Sequence, residues 1–159
     1  MKDVELMEVM RRWASSIALL TTGNLNHRHG MTVNSFTSIS VDPPLVTVTA
    51  NNSTRTRQLM DEVGYFAINL LSEGQEEISD LFAGRVPEQE DRFQNLVTHT
   101  SDLGLPLLSE AAGWVECKIV HRYEMPTSTL FVGEVLHSAK SENMPPLLYM
   151  DRKYHRICL

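Results

Sequence analysis

The chain has 159 residues, 42% of them hydrophobic and 21% charged, with a formal charge of −6. That length and mixture suit a single globular domain over residues 1–159 whose core needs neither disulfide nor metal. The acidic balance argues against nucleic acid or an anionic membrane as partner. No stretch approaches the ~20 apolar residues of a membrane span. The opening MKDVELMEVMRRW is charged ahead of any apolar run, unlike a signal peptide, so the expected location is the cytoplasm.

In chain order, Val4, Leu6, Met7, Met10 and Trp13 recur at helical spacing and predict an amphipathic helix over 3–14. The short apolar run 16–22 predicts a buried strand. After a polar loop from Gly23 to Gly30, residues 31–36 alternate with period 2, as a strand with one wet or ligand-facing side does. Asp42-Pro43-Pro44 breaks the chain before a β-rich run over 45–50. Ser53 is placed to cap a helix through Leu59 to about Glu62, Gly64 ends it, and 65–71 predicts another central strand. A second helix is expected over 75–83, then an irregular polar stretch over 84–106. Val115, Cys117, Ile119, His121 and Tyr123 alternate along a further strand, another covers 130–136, and residues 147–157 predict a hairpin turning at Asp151-Arg152. Strands outnumbering helices in this way predict an α+β, mainly β, antiparallel barrel with two or three flanking helices, not a doubly wound parallel sheet.

Charge is uneven: residues 1–60 carry +2, 61–110 carry −9 and 111–159 carry +1, so an anionic ligand should prefer the first and last thirds. The eight glycines are too widely spaced for a G-x-G-x-x-G fingerprint or a phosphate loop. Two stretches remain informative. The strand around Thr32, Asn34, Ser35, Thr37, Ser38 and Ser40 carries small hydroxyl and amide groups that would let a flat ligand reach the backbone; a solvent-exposed Ser/Thr face is the plainer alternative. Asn51 to Arg57 combines a helix N-terminus, hydroxyls and two arginines, which suits a phosphate; an ordinary cap followed by solvated arginines is the alternative. The histidines, including His27 and His29, lack carboxylate or thiol partners at ligand spacing, so no metal site is expected. Cys117 is expected to be a packed, inert thiol, and Cys158 stands too far along the chain for a CxxC pair.

The chain resembles the flavin reductase family, FMN-binding split-barrel proteins that serve as reductase components of two-component monooxygenases. The resemblance is carried by Met10-Arg11-Arg12-Trp13-Ala14, by the block from Gly30 to Ser40, and by Asp42-Pro43-Pro44-Leu45-Val46. It continues through Phe66 to Leu71, Phe82-Ala83-Gly84, Asp91-Arg92-Phe93, Leu130 to Val135 and Pro146 to Tyr149. It implies a split barrel of about six antiparallel strands, a homodimer, hydride transfer from NADH or NADPH to FMN or FAD, and a separate monooxygenase that takes the reduced flavin. By position, Thr32, Val33, Asn34 and Ser35 should contact the isoalloxazine edge with Ser38 and Ser40 close by. Ser53, Thr54 and Thr56 match the family's ribityl-phosphate segment, at the helix N-terminus where Arg55 is the candidate phosphate contact on physical grounds. Phe82, Ala83, Gly84 and Phe93 should lie near the flavin, often from the partner chain, and Arg152 and Tyr154, which match the family's C-terminal segment, should also take part in flavin binding. No acid or base is implied, since the two rings exchange hydride directly. Many members carry Gly-Asp-His before the strand at Leu130; here Ser128 stands in place of that histidine as a possible nicotinamide-pocket residue. A flavin-holding electron carrier with little NAD(P)H oxidation is the alternative.

Overall fold

A computed structural model describes residues 2–24, 26–85 and 91–157. Helix α1 (Lys2–Met10) is followed by β1 (Ser15–Ser16), β2 (Ala18–Gly23), β3 (Arg28–Val33), β4 (Thr37–Val41) and β5 (Pro44–Asn51). Helix α2 (Arg55–Val63), β6 (Tyr65–Leu70) and α3 (Glu76–Phe82) come next. The chain then forms β7 (Thr98–Thr100), β8 (Pro106–Leu108), β9 (Gly113–Glu124), β10 (Ser128–Lys140), β11 (Leu148–Met150) and β12 (Lys153–His155).

Seven strands make one antiparallel sheet in the order β3-β2-β6-β9-β10-β5-β4. Its two edge strands, β3 and β4, are consecutive in the chain, so the sheet curls until its edges face one another. Ser35, in the corner between them, closes part of the gap: its Oγ accepts from the Thr49 N–H and donates to the Thr49 carbonyl, both at 3.1 Å. The result is the mainly β, antiparallel barrel that the strand pattern predicts.

The interior holds Leu20, Val48, Phe66, Ile68, Cys117 and Phe131, with Met60 entering from α2. Val115, Cys117 and Ile119 of β9 all face this core, as their alternation predicts. Strand β2 shows no alternation because both its faces are covered. Leu20 points inward, while Leu19 packs outward against Phe82, Phe93 and Leu147. Burial, and then the neighbouring Glu116 carboxylate, pushes the Cys117 thiol up to about 12, so it carries no thiolate at neutral pH.

The structure corrects several element boundaries. Helix α1 ends at Met10, and its apolar stripe, with Val4, Leu6 and Met7, is exposed rather than packed. The strand expected over 31–36 runs from Arg28 to Val33, because its ladder with β2 extends to Gly23↔Arg28. In and just beyond the stretch expected to be irregular, β7 and β8 pair, and Leu105 and Leu107 cover the outer face of the sheet at Ala67. Cys158 lies outside the described residues. No helix among the described residues is long and apolar enough to cross a membrane.

Candidate functional site

A cleft of about 850 Å³ opens where β3, the start of α2, the end of α3 and the segment at Asp91–Phe93 converge. Its first wall is the turn into α2. Asn51 Oδ1 accepts both the N–H (2.9 Å) and the hydroxyl (2.8 Å) of Ser53, an Asx turn that occupies Ser53 and moves the cap on by one residue. Thr54, not Ser53, is therefore the N-cap, its Oγ1 accepting from the Arg57 N–H at 3.3 Å. The backbone N–H groups of Arg55 and Thr56 fall in the first turn, outside the helix's own ladder, where the helix dipole is positive. Arg55 is exposed at the cleft and makes no ion pair among the described residues, whereas Arg57 is engaged by Asp61 and Glu124. Thr56 is buried, with its Oγ1 2.7 Å from His29 Nδ1. Gly64 ends α2 in the left-handed region (φ 77°) and returns its N–H to the Met60 carbonyl.

Strand β3 forms the floor. It is an edge strand, so alternate backbone N–H and C=O groups are not used by the ladder. The Thr32 hydroxyl donates to the Ser79 carbonyl at 2.6 Å, which ties the floor to α3. Gly30 gives close access: a Cβ there would lie 3.1 Å from the Leu20 carbonyl oxygen and 3.2 Å from Phe93 Cζ. The opposite wall is Phe82, Ala83 and Gly84 from the end of α3, together with Phe93, whose ring centroid lies 4.9 Å from that of Phe82.

Of the residues singled out from the sequence, the fold thus brings together Thr32, Ser53, Thr54, Arg55, Thr56, Phe82, Ala83, Gly84 and Phe93, all from one chain. It leaves others outside this cleft. The Val33 side chain is in the barrel core. Asn34 and Ser38 are exposed, Ser35 bonds to Thr49, and Ser40 is half-buried on β4. Ser128 opens β10 opposite Asn51, with its carbonyl accepting from the Met125 N–H at 2.8 Å. Arg152 is exposed in the β11–β12 turn, where it and Asp151 have φ of 60° and 50°, values that glycine adopts more easily. Tyr154 stands behind α3, its hydroxyl donating to Asp80 Oδ1 at 2.6 Å and lying 2.9 Å from Ser79 Oγ. Burial, then Asp80, raises its phenol above the ordinary value.

The cleft also contains Arg28, His29, Met31, Asp91 and Arg92, which residue type alone does not assign to it. His29, whose residue type suggests a metal ligand, lies against the Thr56 hydroxyl. Among the described residues no group of three or more His, Cys, Asp or Glu could hold a metal ion. The Arg28 guanidinium holds the Asp91 carboxyl below the ordinary aspartate value, and the Phe93 N–H adds to the effect. Because the folded value is depressed, this pair's contribution is complete above the ordinary aspartate range and is lost as pH falls through the depressed value. A carboxyl-carbon NMR titration should find the Asp91 midpoint below that of a free aspartate, and Arg28→Met should move it upward.

An exposed arginine, a helix N-terminus and hydroxyls, with an aromatic wall and an accessible strand edge in the same cleft, fit a flat ring system carrying a phosphate. A family model described as a flavin reductase like domain matches residues 10–158. The chain is 38% identical over 146 residues to the NADH-dependent flavin reductase StyB of Pseudomonas fluorescens, covering 90% of this chain and 83% of that protein. It is 35% identical over 148 residues to the reductase component of the FADH(2)-dependent resorcinol hydroxylase of Rhizobium sp. (strain MTP-10005), covering 91% and 82%. Among solved structures it matches the Streptomyces globisporus C-1027 NADH:FAD oxidoreductase SgcE6 in complex with NAD and FAD fragments, with a TM-score of 0.90 and 29% identity over 98% of this chain and 93% of that one. A family match along almost the whole length, on a barrel whose cleft suits such a ligand, places this chain in the flavin reductase-like family.

Proposed function

We propose that this chain, acting as one domain, is an NADH-dependent flavin reductase that supplies reduced flavin to a separate monooxygenase. The observation that carries the reading is the α2 N-terminus: two N–H groups outside the helix ladder and Arg55, which has no ion-pair partner among the described residues, stand beside a strand edge and an aromatic wall. Bound flavin would accept a hydride from NADH, which leaves as NAD⁺. The protein's part is binding and alignment. Arg55 and the first turn of α2 hold the phosphate, the edge of β3 reads the ring by its backbone, and Phe82 with Phe93 excludes water from one side. No side chain has to carry a proton between the rings.

Two copies suit this reading better than one. Val4, Leu6, Met7, Val9, Met10 and Trp13 around α1, and Ile39 and Val41 on the edge strand β4, are exposed apolar side chains of a kind that interfaces cover. An apolar groove of about 540 Å³ between Phe36, Leu70 and Trp114 adds to that surface. Asn34, Ser38 and Arg152, exposed in one chain, would come within reach of a flavin lying across two. A reductase drawing on NADH works where that nucleotide is, hence the cytoplasm.

The test is an anaerobic stopped-flow mix of the FMN-loaded protein with NADH, and separately NADPH, followed at about 450 nm. Rapid bleaching is the expected result, with Ser128 in place of the family histidine. Flavin that binds yet stays oxidised with both nucleotides would overturn the reductase and leave an electron carrier.

A further inference from the structure

We infer that Arg28 and Asp91 are positioning residues that hold the aromatic wall of the flavin cleft in place, and so set flavin affinity through Phe93 instead of through contact with the phosphate. The inference rests on the flavin reading above. Arg28 starts β3 and Asp91 is 63 residues further on, yet Arg28 Nη2 lies 2.6 Å from Asp91 Oδ2. The other carboxylate oxygen, Oδ1, accepts the Phe93 N–H at 3.0 Å. The same guanidinium lies over the Phe93 ring, 5.0 Å from its centroid. One arginine and one carboxylate therefore grip Phe93 by its backbone and by its ring face together.

The ring so held is buried, packing on Phe82 and against Gly30 of the floor. No side chain at position 30 could coexist with it unmoved, so the glycine and the grip make one unit. The pair itself is only partly covered: the Arg28 side chain is 25% exposed and Asp91 43%. Water and salt reach it, so its strength should respond to ionic strength.

Riboflavin carries no phosphate and no charge, so any effect of salt on its binding must arise in the protein. Fluorescence titration of the full chain with riboflavin and with FMN, at low salt and at 0.5 M sodium chloride, tests the inference. In the unaltered protein, riboflavin should bind about threefold more weakly at high salt. Asp91→Asn, which keeps an acceptor for the Phe93 N–H but removes the charge, should weaken riboflavin about fivefold at low salt and abolish the salt effect. Asp91→Asn combined with Arg28→Lys should be no worse than the weaker-binding single variant, since both act on one unit. The flavin KM should rise with kcat retained, which a general loss of fold would not produce. Riboflavin affinity insensitive to salt in the unaltered protein, or an Asp91→Asn variant within twofold of it, would overturn the inference while leaving flavin binding standing. Failure of the unaltered protein to bind either flavin would instead overturn the flavin reading, and the positioning role with it.

Discussion

Replacing Gly133 by alanine should destabilise the protein by about 3 kcal/mol, at the upper end of what one added methyl costs in a packed core. Gly133 lies on β10 at a register shift against β9, with Ile119 as its partner. A Cβ built there would stand 2.5 Å from Phe66 Cζ, 2.8 Å from Phe66 Cε1 and 2.7 Å from Cys117 Cβ. Those atoms cannot yield cheaply. Phe66 is fully buried and close-packed among Ile68, Phe131 and Met60, and Cys117 Cβ is held by its own strand. The reduced freedom of an unfolded chain with alanine works the other way but is worth only about 0.4–1 kcal/mol. For a protein of this size the thermal midpoint should fall by roughly 6–12 °C. Phe66→Leu, which withdraws the ring edge, should recover part of the loss in the double variant. A Gly133→Ala midpoint within 2 °C of the unaltered protein would mean that the interior is looser than this packing implies.

Reversing the charge at Arg55 should weaken FMN about thirtyfold, close to 2 kcal/mol, and riboflavin by less than twofold. The contrast isolates the phosphate, because the two ligands share the ring and the ribityl chain. Arg55→Glu is a cleaner probe than Thr54→Val, which would also remove the N-cap and cost about 1 kcal/mol of helix stability. Glutamate at the first position of α2, where no acidic residue now stands, suits the helix dipole, so the fold should be unharmed or slightly firmer. An equal loss for both flavins would sink the phosphate assignment; an unchanged FMN affinity would move the phosphate away from this helix.

The legible parts of the fold were those in which neighbouring residues decide the outcome. The alternation from Val115 to Ile119 marked an inward face, the unbroken apolar run in β2 marked a strand covered on both sides, and Gly64 marked a helix end. The helix N-terminus at the cleft was also legible, because N-cap chemistry and nearby arginines lie within seven residues, Asn51 to Arg57. Its exact cap was not. The choice between Ser53 and Thr54 turned on which backbone N–H the Asn51 side chain captured. Strands β7 and β8 were missed because three residues are too short for a period to show, and each exists through its pairing with the other.

By itself, then, the sequence determined a mainly β barrel with few helices, a buried thiol, the absence of a glycine phosphate loop, and a helix N-terminus suited to a phosphate. These are properties of local pattern and residue chemistry. Only the tertiary structure decided which groups share the cleft. It set His29 against Thr56, carried Phe82 and Phe93 to the same wall in one chain, and joined Arg28 to Asp91 across 63 residues. It also put Tyr154 behind α3 and Val33 in the core, outside the cleft to which the family pattern assigns them. Such contacts depend on how the sheet curls and which strand sits at its edge, and those follow from packing the whole chain around one interior.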